Sequence, residues 1–171
     1  MRLRAEGLAE TATVNGIADP PSVDLVRWTT MADYGQTIAQ CLTEAGFDAV
    51  GAGSAIWYPG GAGGAQAGAF HLAEYECNAK YTLHPKYYQR LTEQQFEVLY
   101  DYDVQWLVPC LESLGAMVST PPTRETYIAQ RLQGKLPWDP YNEAEGLFGS
   151  PEKGAYLANT CPKFPVAYLW G

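Results

Sequence analysis

The chain has 171 residues, a net charge of −8 and only eleven lysines and arginines. It is long enough to bury a core of its own, and with no basic stripe it offers little to nucleic acid or to an anionic membrane surface. No run of eighteen apolar residues exists, so no membrane-spanning helix is expected.

Residues 1–27 carry Gly7, Gly16 and Asp19-Pro20-Pro21 without apolar periodicity and read as a flexible leader. The opening Met1-Arg2-Leu3-Arg4 has the charge of a signal-peptide start, but Ala5 to Glu10 is too polar for the apolar segment that should follow. Export then implies that a signal has been removed or that the true start lies upstream. A single helical domain is expected over 28–171. Its first helix is predicted over about 30–45, where Met31, Tyr34, Ile38, Cys41, Leu42 and Ala45 recur every three or four residues before Gly46 stops the helix. The runs 47–50 and 55–58 flank Gly51-Ala52-Gly53-Ser54 and predict a small β-hairpin. Pro59-Gly60-Gly61-Ala62-Gly63-Gly64 reads as a flexible connector.

A second helix is predicted over 65–81, with Phe70, Ala73, Cys77 and Tyr81 on one face, broken at Leu83-His84-Pro85. The third is marked at its start by Thr92 with Gln95 as a capping-box pair, and at its end by Gly115. Between them Phe96, Leu99, Tyr100, Asp103, Leu107, Cys110, Leu111 and Leu114 form a stripe, and Pro109 predicts a kink because it cannot bond to the carbonyl of Gln105. Residues 116–120 read as a short strand. Pro121-Pro122-Thr123 opens a fourth helix over 124–133, and from about 134 an irregular tail is expected, anchored by Cys161 and Trp170.

The Cys-Leu-x-x-x-Gly endings at Cys41 and Cys110, the Tyr75-Glu76-Cys77 helix, the segment LTEQQFEVLYDYDVQWLVPCLESLG and the Pro-Pro after it resemble a group of uncharacterised exported proteins and lipoproteins of high-GC Gram-positive bacteria. The resemblance covers roughly 28–135. It implies an envelope or extracellular location and brings no activity, and the lipobox cysteine of such lipoproteins is missing.

The four cysteines, Cys41, Cys77, Cys110 and Cys161, are widely spaced and form no C-x-x-C clip. Together they suggest two disulfides in an oxidising compartment. Three connectivities exist. Cys77 and Cys110 fall near opposite ends of neighbouring predicted helices, about 20 Å apart at 1.5 Å per residue, which argues against joining them. Cys41–Cys77 with Cys110–Cys161 is favoured, and Cys41–Cys110 with Cys77–Cys161 is the rival.

Chemistry is sparse. The two histidines, His71 and His84, are the only bases available to a cysteine nucleophile. His71 and Cys77 point to different sides of their helix, which leaves Cys41 with His84. His71, Glu74 and Cys77 drift too far around the helix to hold one zinc ion. Of the acids on the third helix, Asp101 and Asp103 diverge by about 200°, and Glu97 with Asp101 reads as an exposed pair. Asp103 falls beside the apolar stripe, so burial would require a partner such as a tyrosine hydroxyl or a helix amide. The oxygen-rich loop from Asp139 to Gly146 departs from the EF-hand spacing, and the glycine run at 59–64 lacks the lysine of a phosphate loop.

The expected fold is therefore a mainly α, disulfide-stapled bundle of three to four helices with a minor hairpin and an irregular tail. No cofactor, metal site or catalytic residue is expected. The favoured function is a secreted or cell-envelope binding module for a protein, peptide or glycan, contacted through Trp57, Tyr58, Trp138 and Tyr141. The alternatives are an extracellular hydrolase-like enzyme using Asp/Glu and His84, and a structural subunit of a surface assembly with Trp57, Tyr58, Trp138 or Trp170 exposed.

Overall fold

A computed structural model describes residues 2–61, 64–135 and 138–171. Met1, Ala62 and Gly63 of the connector, and Leu136 and Pro137 in the expected tail, lie outside the described residues. The chain is mainly helical, with one antiparallel hairpin and two disulfides. It divides into two compact units, Met1–Tyr88 and Gln89–Gly171, each with its own core and its own disulfide.

The first unit begins with a helix where the flexible leader was expected. Helix α1 (Arg2–Val14) is rich in Ala, Leu and Glu, all good helix formers. Gly16 ends it with a positive φ, and the Ile17 amide donates back to the carbonyl of Ala12. The helix buries Ala12 and sends Arg4 across to the carbonyls of Val23 and Ala79, at 2.8 Å each. A helix whose buried residue is an alanine, with a guanidinium as its tie, leaves no apolar period for sequence reading to find.

Helix α2 (Tyr34–Glu44) buries Ile38, Ala39, Cys41 and Leu42. Strands β1 (Val50–Ala52) and β2 (Ala55–Trp57) pair antiparallel with Gly51 opposite Ile56. The hairpin lies backbone to backbone against the start of α2. A Cβ on Gly35 would overlap the carbonyl oxygen of Ala55, and one on Gly51 would overlap the carbonyl of Gly35. The Gly35 amide donates to the Gly53 carbonyl at 2.7 Å. Glycine at 35 and 51 is thus required by contact. Helix α3 (Ala67–Lys80) packs Phe70 and Cys77 into the same core, and Cys41 is bonded to Cys77. Residues 26–29 run beside 80–84, with the Thr29 amide donating to Thr82 and the His84 amide to Thr29, so that Trp28 is set against His84.

The second unit is built on α4 (Glu93–Tyr102), a π-helical turn (Asp103–Leu107) and α5 (Val108–Ser113). The capping box of Thr92 and Gln95 is formed. The break expected at Pro109 takes the form of this π-turn: the Val108 amide bonds back to Asp103, five residues away, immediately before the residue that has no amide to give. Helix α6 (Arg124–Leu132) is capped by Thr123 and places Tyr127 and Ile128 in the core. Residues 116–120 form no strand; there Ser119 is held by the Glu143 carboxylate and the Trp138 indole.

The expected irregular tail is largely helical. Helices α7 (Pro140–Glu143), α8 (Pro151–Thr160) and α9 (Val166–Trp170) close the unit, the first two with proline in the first turn after a capping Asp139 or Ser150. Gly154, Ala155 and Ala158 in α8 bury little surface each, so no stripe announced that helix. Cys161, just past α8, is bonded to Cys110 of α5. No helix among the described residues is long and apolar enough to cross a membrane.

Candidate functional site

The first unit holds a cleft of about 550 Å³. This size lies within the range of pockets that take small ligands, about 300–1,000 Å³. One wall is α1, contributing Leu3, Glu6 and Glu10; the other carries Trp28, Tyr34 and Tyr88, and α3 supplies Glu74 and Asn78. The parallel run of 26–29 beside 80–84 positions Trp28, and the turn Pro85–Tyr88 presents Tyr88, which is 64% exposed.

The polar groups are held by a short network. Tyr34 donates its hydroxyl to Oδ1 of Asn78 at 2.5 Å, and Asn78 donates from Nδ2 to the Glu74 carbonyl at 2.9 Å. Oε1 of Glu74 accepts from the Tyr58 hydroxyl at 2.9 Å, and Oε2 from Nδ2 of Asn15 at 3.4 Å. Burial pushes the Tyr34 phenol up to about 12, with Tyr88 and Glu74 adding to the effect. Burial also pushes Tyr58 well above the usual tyrosine range, and the charge of Glu74 reinforces it. Both tyrosines therefore stay neutral donors at any physiological pH.

The four aromatic residues expected to contact a partner fall two in each unit. Trp57 is half-buried on β2. Tyr58 is half-buried edge-on to Phe70, and meets the cleft only through Glu74. Trp138 and Tyr141 are buried in the second unit. Trp138 lies in the cluster with Phe96 and Tyr127, and Tyr141 lies against Phe148 with Lys163 over its ring. Their size made them good core rather than surface. Nor does Trp57, Tyr58, Trp138 or Trp170 stand exposed, as a subunit of an assembly was expected to require. Trp28, Tyr34 and Tyr88, which line the cleft, escaped sequence reading because its other wall is the helix taken for a leader.

All four cysteines are in disulfides, which removes them as nucleophiles or metal ligands. Among the described residues no group of three His, Cys, Asp or Glu side chains is placed to hold a metal ion. In the oxygen-rich loop, Asp139 caps α7 and accepts from Lys163 at 3.0 Å, while Glu143 is bound to Ser119. His84 accepts from the Lys86 amide at 3.2 Å and lies edge-on to Trp28. Asp101 forms a two-pronged ion pair with Arg124.

The second unit holds one unusual acid. Asp103 is 3% exposed and accepts from the Tyr127 hydroxyl at 2.9 Å, the partner its position demanded. Burial lifts its carboxyl to about 7; the Tyr127 hydrogen bond, Arg131 and Lys163 pull it down, and Asp139 pushes it up. It borders a cavity of about 170 Å³, too small for most organic ligands.

The architecture is that of a disulfide-stapled helical protein with a ligand-sized cleft in its first unit, lined by aromatic and acidic side chains. Comparison with protein-family models, with curated proteins and with solved structures finds no match for this chain.

Proposed function

We propose that the protein is a non-enzymatic binding module of an oxidising compartment, outside the cell or in its envelope, and that its ligand enters the cleft of the first unit. One observation carries the reading: a 550 Å³ cleft combines three aromatic rings with polar side chains locked in orientation by their own hydrogen bonds. Such a lining fits the stacking and hydrogen-bonding surface of a peptide, glycan or small organic ligand. The two disulfides support an oxidising compartment, and the use of every cysteine in them removes the thiol chemistry on which one enzymatic reading depended.

The test is an NMR screen of peptides, oligosaccharides and small organic fragments against the oxidised full chain. Ligands are expected to shift the Trp28 indole and Asn78 side-chain signals. Binders that map only to the second unit, or silence at millimolar concentration, reject the cleft. The compartment is tested by alkylation and mass mapping of protein taken from its native source: two crosslinked pairs support it, four free thiols reject it.

A further inference from the structure

We infer that the cleft takes an organic ammonium ion, a protonated or N-methylated amine on a small apolar carrier. This deepens the binding reading above and rests on it. Among the cleft's lining residues, the guanidinium of Arg4 stands with the carboxylates of Glu10 and Glu74, and acid is in excess even with Glu6 left out of the balance. The guanidinium is already committed: Nη2 donates to the carbonyls of Val23 and Ala79, and Nε to the Thr82 hydroxyl at 3.3 Å. Arg4 therefore ties α1 to the rest of the unit and is turned away from the role of an anion receptor.

Glu74 is arranged differently. Tyr58 and Asn15 are neutral donors, so their hydrogen bonds fix the orientation of the carboxylate while leaving its charge in place. Trp28, Tyr34 and Tyr88 line the same cleft, and aromatic ring faces attract cations within about 6 Å, indole most strongly. The remaining wall is apolar, with Leu3, Leu8, Leu83 and Pro85. A bare metal ion would want converging oxygen or nitrogen ligands and has no use for rings and leucines. An anion would meet net negative charge. A cation spread over methyl or methylene groups matches the rings, the carboxylates and the leucines together.

The test uses the oxidised full chain and two probes of equal shape, choline and the uncharged 3,3-dimethylbutan-1-ol, titrated with NMR detection at the Trp28 indole and Asn78 amide. Choline is expected to bind about tenfold more tightly than the alcohol, and the preference to shrink as salt is added. Glu74→Gln keeps the shape and hydrogen-bond acceptor and is expected to weaken choline about three- to tenfold. Tyr88→Ala, at an exposed position that the fold tolerates, is expected to do the same. Equal affinity for the two probes overturns the charge inference and leaves the cleft standing, as does a cleft that answers to neutral saccharides but not to choline. A lysine peptide that outcompetes choline at the same signals overturns the small-molecule occupant. No response to any probe overturns both the inference and the binding reading.

Discussion

The two units bury acid in opposite ways. In the first, Asp33 has 40% of its side chain exposed and collects donors: the amide and hydroxyl of Thr30 at 2.6 Å each, and Arg27 at 2.7 Å. Burial raises its pKa, but these bonds outweigh burial and hold the carboxyl below its ordinary value. In the second, Asp103 is nearly sealed, with the Tyr127 hydroxyl as its direct donor, and burial wins. Similar side chains thus carry opposite pH signatures, because the sign follows the balance between solvent lost and donors gained. The contrast extends to cavities: the first unit keeps a ligand-sized cleft, whereas Asp103 of the second borders a small void.

The largest expected effect concerns what the units share. The disulfides span sequence separations of 36 and 51 residues. The chain-entropy argument gives each about 3–4 kcal/mol, with a difference of only about 0.3 kcal/mol between them. The Cys41→Ser/Cys77→Ser and Cys110→Ser/Cys161→Ser variants should therefore lose nearly equal stability in urea unfolding, with hydrogen exchange accelerated in the unit that lost its bond. A large inequality breaks the symmetry of the comparison.

The acids come next. The Asp103 carboxyl binds its proton more tightly folded than unfolded, so its contribution to stability is complete below the ordinary carboxylate pKa and is lost as pH rises through about 7. The amount is on the order of a few kcal/mol. Asp33 acts in reverse: its contribution is present above the ordinary carboxylate pKa and is lost as pH falls through its lowered value. Asp103→Asn should flatten the wild-type decline between about pH 4 and 7. Urea midpoints at several pH values decide it, and parallel profiles for wild type and variant would remove Asp103 as the source.

The hairpin is the third point. Gly51→Ala drives a Cβ into the Gly35 carbonyl and is expected to cost about 3 kcal/mol by thermal unfolding. Gly115→Ala, with nothing near its Cβ position, should cost less and only through its positive φ. Smallest is the capping box: Thr92→Ala should lose about 1 kcal/mol, and a loss near zero would show that the α4 start is held by packing alone.

Sequence reading reached what periodicity and capping encode. The stripe of Phe96, Leu99, Leu107 and Leu111 announced its helix, Thr92 and Gln95 its start, Pro109 its break, and the glycines around 51–54 the hairpin. The need for a hydrogen-bond donor at Asp103 followed from its place beside the stripe, and of the two kinds expected, a tyrosine hydroxyl supplies it. What stayed hidden depends on contacts far apart in sequence. Helix α1 is fixed by Arg4 reaching carbonyls 19 and 75 residues away, and α8 by small residues that leave no stripe. The cleft could not be read because its walls come from residues 3–11, 28–34 and 74–88, none of which carries a chemical motif alone.

The π-turn before Pro109 has a consequence for inheritance. It inserts extra length into an otherwise continuous helix and so turns the following stretch relative to the preceding one. Phe96 and Leu99 serve one apolar cluster, and Leu107 and Leu111 serve another. The wide turn takes up one residue more than an α-turn, so a substitution within 103–107 that tightened it to α geometry without removing a residue would swing everything beyond it by about 100°. Cys110 would then face away from Cys161 with both sulfurs intact in the gene. The covalent staple of this half of the molecule is therefore conditional on a wide turn that contains no cysteine, and a drifting lineage could forfeit the bond through a substitution there that leaves both cysteines in place.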